Sequence, residues 1–196
     1  VLVTEIYRRI KFWFSCDRIG PDICFTHWRL YLESTMRKLC EAKFKYFAKS
    51  AEFRPGAYAV GCSKISVGAR VVVRPATMLF ADPRKGAGGT ITIEDDVLLG
   101  AAIHIYVNNH DFNDLSIPII DQGHRPPGSV LIEQGAWIGA GTVILPGVSI
   151  GRNSVIGAGS IVTKSIPPMS VAAGNPARLI RSRMEGQFTH ENQKGG

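Results

Sequence analysis

Every sixth residue from Ile132 to Val162 is a branched aliphatic: Ile132, Ile138, Ile144, Ile150, Ile156 and Val162. A helix returns a side chain to the same face after about 3.6 residues, and strand alternation needs a spacing of only about two. A sustained hexad therefore points to short stacked repeats, a β-helix. Ala136, Thr142, Val148, Ser154 and Ser160 follow successive aliphatics by four positions, and Gly139, Gly151 and Gly157 follow three of them directly. An inward aliphatic, a compact corner residue and a glycine read as turn-tolerant make one flat side of a triangular coil.

The period extends upstream. Val67, Val73 and Leu79 are six apart, as are Ile93, Leu99 and Ile105. A Gly-rich insertion at Asp82 to Thr90 and a longer excursion at 106–131 separate the phases. Three hexads close a coil, which predicts about four coils, or five if Val171 to Pro176 is included. Each coil buries its aliphatics only by stacking on the next. Each buried side chain contributes roughly 1.5–3 kcal/mol before chain entropy is subtracted.

Four stretches resemble the hexapeptide-repeat acyltransferases: Trp137–Gly141, Leu145–Gly151, Val155–Lys164 and Ala173–Arg178. The resemblance leans toward maltose and galactoside O-acetyltransferases and the O-acetyltransferases of bacterial surface polysaccharides. It covers about fifty residues closely and the repeats from about residue 57 more loosely. It implies a mainly β fold, a left-handed parallel β-helix, against the usual right-handed crossover rule. It also implies a homotrimer with active sites between subunits, acetyl-CoA as donor, and no metal.

The expected organisation is a basic aromatic extension over 1–56, a β-helix over 57–184 carrying the 106–131 excursion, and a disordered tail over 185–196. Residues 1–50 hold ten Lys or Arg against five Asp or Glu, and so carry +5 of the chain's net +7. Helices are expected over Thr4 to Phe14 and Thr26 to Ala48. In the second, Trp28, Leu32, Thr35, Met36, Leu39 and Lys43 form a mostly apolar stripe at helical spacing. Two readings of this region stand side by side: a cap over the open end of the β-helix, and a peripheral contact with an anionic membrane surface. The basic excess carries no known nucleic-acid motif, so no nucleic-acid partner is expected.

Cys16, Cys24, Cys40 and Cys62 form no close metal-type pair and read as free thiols in a reducing cytoplasm. The segment Ile10 to Cys16 is too short for a signal peptide, and no stretch approaches the apolar length of a membrane span.

The resemblance implies the chemistry residue by residue. His110, on the loop leaving the coil after Ile105, matches the family's catalytic histidine. A histidine, with a reference pKa of about 6.5, suits removal of a hydroxyl proton in the transition state. Trp137 accompanies it in the polysaccharide enzymes. Ala140, Ala158, Thr163, Lys164, Arg178 and Arg181 match coenzyme A contacts. The small residues admit the pantetheine arm to the backbone, and the cations suit phosphates. Asn109, Asp111, His104 and Gln122 are candidate contacts to a saccharide acceptor. His104, His110 and His124 lack the spacing of a histidine zinc site.

The His110-Asp111-Phe112 loop departs from the His-Pro form of the maltose and galactoside enzymes, and Ile117–Gly123 is closer to the polysaccharide-modifying ones. The expected activity is sugar O-acetylation, on a surface polysaccharide or its precursor. N-acetylation of a nucleotide-linked amino sugar is the alternative reaction, and a non-catalytic β-helix scaffold the alternative of another class.

Overall fold

The computed structural model describes residues 2–84, 86 and 88–184. The tail expected at 185–196 lies outside the described residues. Among those described, the chain winds through five coils, each with one short strand on each of three faces, and a further strand, Ser170–Gly174, follows on the third face. The first face carries Tyr58–Val60, Met78–Phe80, His104–Tyr106, Val143–Ile144 and Ile161–Val162, all parallel. The second carries Tyr46–Phe47, Ile65–Val67, Ile91–Ile93, Val130–Ile132 and Ser149–Ile150. The third carries Glu52–Phe53 on Val72–Val73, then Leu98–Leu99, Trp137–Ile138, Val155–Ile156 and Ser170–Gly174.

Register puts the hexad aliphatics directly over one another. Leu79, Ile105, Ile144 and Val162 stack on the first face, and Ile93, Ile132 and Ile150 on the second. Leu99, Ile138 and Ile156 stack on the third. All of them are buried, as are the small residues four positions on. The hydroxyls among these are satisfied: Thr142 Oγ1 donates to the Gly139 carbonyl at 2.7 Å and Ser160 Oγ to the Gly157 carbonyl at 2.6 Å. A buried hydroxyl without such a partner would oppose folding.

The glycines that follow the aliphatics have a different role from the expected one. A Cβ on Gly139 would sit 2.4 Å from the Ala158 backbone nitrogen, and one on Gly151 2.3 Å from that of Pro168. Parallel strands lie about 4.8 Å apart, so these positions meet the backbone of the next coil. The left-handed turn is made two residues later, as at Gly141 with φ +69°.

The first coil begins at Tyr46, inside the segment assigned to the extension. Phe47, Phe53 and Ala59 hold the six-residue spacing there, with aromatic and small residues in place of branched aliphatics. Three helices precede it: α1 (Leu2–Ser15), α2 (Cys24–His27) and α3 (Glu33–Lys43). The single helix expected over Thr26 to Ala48 is broken. A 3-10 turn spans Trp28–Tyr31, Leu32 is extended, and Phe44 is extended before the first coil strand. Strand pairing of Tyr46 and Phe47 with Ser66 and Val67 ends the helix early.

Helix α3 buries Met36, Leu39 and Cys40 in the same cluster as Phe44, Phe47 and Phe53. It covers the open end of the first coil. Helix α1 buries none of its residues. At the far end, Ala177–Ser182 folds back antiparallel on Ser170–Gly174, through a cis Asn175–Pro176 bond.

Candidate active site

The excursion leaves the first face after Val107 and returns at Gly128, whose N–H donates to the Val107 carbonyl at 2.9 Å. Between these points it doubles back on itself. His110 faces His124 in an antiparallel bridge, with ring centroids 4.3 Å apart. The Arg125 N–H donates to the Asn109 carbonyl, and the Asp111 N–H to the Gly123 carbonyl.

His110 Nδ1 lies 3.2 Å from that same Gly123 carbonyl oxygen. A carbonyl only accepts, so Nδ1 is the protonated nitrogen of the neutral ring and Nε2 keeps its lone pair. The histidine is exposed, so Nε2 can meet a proton from outside.

The base of the loop is pinned by Asp82, which is fully buried. Its carboxylate receives Arg84 Nη2 at 2.7 Å and the Arg84 backbone N–H at 2.9 Å. Hydrogen bonding to Arg84 outweighs burial and holds the Asp82 carboxyl down at about 2. Oriented to suit its partners, the Asn108 amide donates to Asp82 Oδ2 at 3.1 Å and to the Val107 carbonyl at 3.2 Å. Arg125 braces the outer part of the loop. It lies over the Phe112 ring at 4.3 Å and donates to Asn113 Oδ1 at 3.0 Å.

The residues expected to hold acceptor divide. Asn109 and Asp111 lie beside His110. Asp111 Oδ1 accepts the N–H groups of Phe112 and Asn113 and thereby shapes the turn. Gln122 is spent inside the loop: its Oε1 accepts the Asp114 N–H, and its Nε2 donates to the Asp114 and Ile117 carbonyls. It braces the loop from within, with both Nε2 protons given to backbone carbonyls. His104 is on the outer side of the first face, its Nδ1 3.3 Å from the Tyr106 hydroxyl. An open cleft of about 280 Å³ beside it is lined by Arg18, Tyr58, Phe80, Tyr106, Asn108 and His124.

Trp137 is half exposed on the third face, paired with Leu98 and Val155. The described residues hold no ring contact between it and His110. Ala140 and Ala158 are exposed at the corner between the third and first faces, where the Gly159 N–H donates to the Ala140 carbonyl. Arg178 pairs with Ala173 and Arg181 with Val171 at the top of the third face. Thr163 and Lys164 follow the last strand of the first face. All four of these side chains are exposed. They are therefore available to an anionic ligand.

His124, Asp82, Asn108 and Arg125 were not among the expected site residues. Only the loop's hairpin register brings His124 and Arg125 to His110, and no spacing in the sequence encodes that register. The described residues contain no group of three or more His, Cys, Asp or Glu arranged to hold a metal ion.

Residues 129–164 match the family model described as bacterial transferase hexapeptide (six repeats). A galactoside O-acetyltransferase of Escherichia coli K12 is 47% identical over 92 residues, which is 47% of this chain and 44% of that protein. The chain thus aligns with less than half the length of that curated relative. Among solved structures, a galactoside acetyltransferase in complex with coenzyme A superposes with a TM-score of 0.69 at 32% identity, over 80% of this chain and 78% of that one. A maltose O-acetyltransferase from Clostridium difficile 630 gives 0.66 at 32%, over 76% and 75%. The three-faced coil, its hexad ladder and these likenesses together show that the chain is a left-handed parallel β-helix belonging to the hexapeptide-repeat transferase family.

Proposed function

We propose that this protein is an acetyl-CoA-dependent O-acetyltransferase acting on a sugar hydroxyl, with His110 as general base. The observation that carries the reading is the 3.2 Å approach of His110 Nδ1 to the Gly123 carbonyl, which leaves Nε2 as the basic nitrogen. The acceptor oxygen bonds to the acetyl carbonyl carbon as its proton passes to Nε2. The carbon–sulfur bond then breaks, and the departing thiolate takes the proton from the imidazolium. Base assistance of this kind is worth roughly 10²–10⁴ in rate. No covalent acyl-enzyme is required.

Exposed Lys164, Arg178 and Arg181 supply charge for the donor's phosphates, and the small Ala140 and Ala158 admit its pantetheine arm. Coenzyme A is bound in the superposable galactoside acetyltransferase, which supports this assignment. Trp137 lies on another face from the one the His110 loop leaves. In the trimer that the family resemblance implies, a site between neighbouring chains would bring the two together.

The acceptor we favour is a bacterial surface polysaccharide or its precursor. The cleft beside Asn108 and His124 is walled by the rings of Tyr58, Phe80 and Tyr106, which offer apolar contact together with the two tyrosine hydroxyls, as a sugar surface requires. We place the reaction in the reducing cytoplasm, where Cys16, Cys40 and Cys62 stay free thiols.

Calorimetry with acetyl-CoA and dephospho-CoA tests the donor half. Binding weakened by loss of the ribose phosphate is the expected result. No binding by the folded protein would overturn the reading and leave a β-helix scaffold.

A further inference from the structure

We infer that helix α1 is a membrane-surface anchor that lies in the interface of an anionic lipid bilayer and holds the β-helix against it. This goes beyond acetyl transfer and does not rest on it. The inference starts from a fourteen-residue helix with no buried residue. Val3 is 80% exposed and Phe14 70%, and Leu2, Ile6, Tyr7 and Ile10 are exposed as well. A soluble helix normally turns such residues toward a core.

At about 100° per residue, Leu2, Trp13, Ile6, Ile10, Val3, Phe14 and Tyr7 fall in one arc of roughly 140°. Arg9 borders the arc on the Leu2 side and Lys11 on the Tyr7 side. Arg8, Phe12 and Thr4 occupy the opposite face, Phe12 beneath the Arg18 guanidinium at 5.9 Å, with Glu5 the one acidic residue of the helix. An apolar strip flanked on both sides by long cationic side chains is the arrangement in which the strip enters the acyl boundary while the cations reach up to headgroup phosphates.

Among the described residues, the ring contacts that join the helix to the body lie near its C-terminal end. Phe14 stacks on Phe25 with centroids 5.0 Å apart, and Trp13 meets the same ring edge-on at 5.3 Å. Phe25 is itself exposed, so the apolar strip continues onto α2. Charge decides the occupant. A second copy packed on this strip would set the flanking Arg9 and Lys11 against the same cations, with Glu5, one step beyond Arg9, the single acidic side chain to offset them. An anionic lipid surface meets each of them with an opposite charge.

Co-sedimentation of the full chain with vesicles tests the inference. Vesicles of phosphatidylcholine alone are compared with vesicles one third phosphatidylglycerol. The expected result is strong binding to the anionic vesicles, weakened by added salt. The double variant Ile6→Glu with Ile10→Glu should lower the bound fraction by about tenfold or more, because it sets two carboxylates in the strip that enters the acyl boundary. Both residues are exposed, so the variant keeps the wild-type unfolding midpoint. Failure of the wild-type chain to bind anionic vesicles would overturn the inference, as would equal binding by the variant. A change in oligomeric mass in the variant, with no vesicle binding by the wild type, would overturn it in favour of an interface between copies.

Discussion

Asp82 and Asn108 meet at the root of the loop that carries His110: the buried carboxylate accepts the Asn108 amide at 3.1 Å. Arg84 holds the same carboxyl well below its ordinary value, at about 2. A carboxyl whose folded pKa is depressed contributes stability above its unfolded value, and loses it as pH falls through the folded one. The window is therefore roughly pH 4 down to 2. Asp82→Asn should flatten this part of the acid unfolding curve. At neutral pH Asp82→Ala should cost about 1.5–3 kcal/mol, the range for hydrogen bonds to a charged group. Urea unfolding of wild type and both variants at neutral and acid pH checks both statements.

Gly123 supplies the carbonyl that orients His110, and its own φ is +78°. Nothing lies within 4 Å of a Cβ built there, so the penalty for a side chain is conformational, with no clash. Gly123→Ala should cost about 1–2 kcal/mol of backbone strain at that turn. The expected outcome is a fall in turnover of about tenfold as His110 loses its fixed orientation, with acetyl-CoA affinity unchanged. Steady-state kinetics beside donor binding reads the two separately.

Two glycines of one corner should behave differently. Gly139→Ala drives a methyl to 2.4 Å from the Ala158 backbone, which cannot move without displacing a coil. Its cost should be about 3 kcal/mol, the upper end of the range for overpacking. Gly141→Ala meets its nearest atom at 3.9 Å and faces only the left-handed φ, for about 1 kcal/mol. Denaturant midpoints should rank wild type above Gly141→Ala and that above Gly139→Ala.

Burial pushes the Cys40 thiol up to about 12 and raises Cys62 as well. Both thiols stay protonated at pH 8, and the thiol form is a poor nucleophile. Titration with a chromogenic disulfide should find Cys40 and Cys62 unreactive in the folded chain and fully reactive in denaturant. Rapid reaction of either in the native protein would contradict their buried placement.

The ladder was legible because its rule is strict. Six-residue spacing from Ile132 to Val162 points to short stacked repeats, and the observed registers follow it. The loop was legible as the stretch where the spacing stops. The start of the β-helix was harder to see, because Phe47, Phe53 and Ala59 keep the spacing while changing the side-chain type. The role of Gly139 was misread because contact with a neighbouring coil and a turn both demand glycine, and a single chain of letters does not separate them. The bracing role of Gln122, whose amide nitrogen donates to carbonyls five and eight residues away, carries no signal in the spacing. His124 could not be paired with His110 beforehand, since a hairpin without regular alternation carries no register signal.

If His110 acts as the base while other residues bind the donor, the two functions separate on substitution. The direct measurement is thiol release from acetyl-CoA by His110→Ala against wild type, with a galactoside or polysaccharide acceptor, alongside calorimetric acetyl-CoA binding. Turnover reduced by roughly 10²–10⁴ with donor affinity retained is the expected result. Wild-type turnover in that variant would contradict a base role for His110.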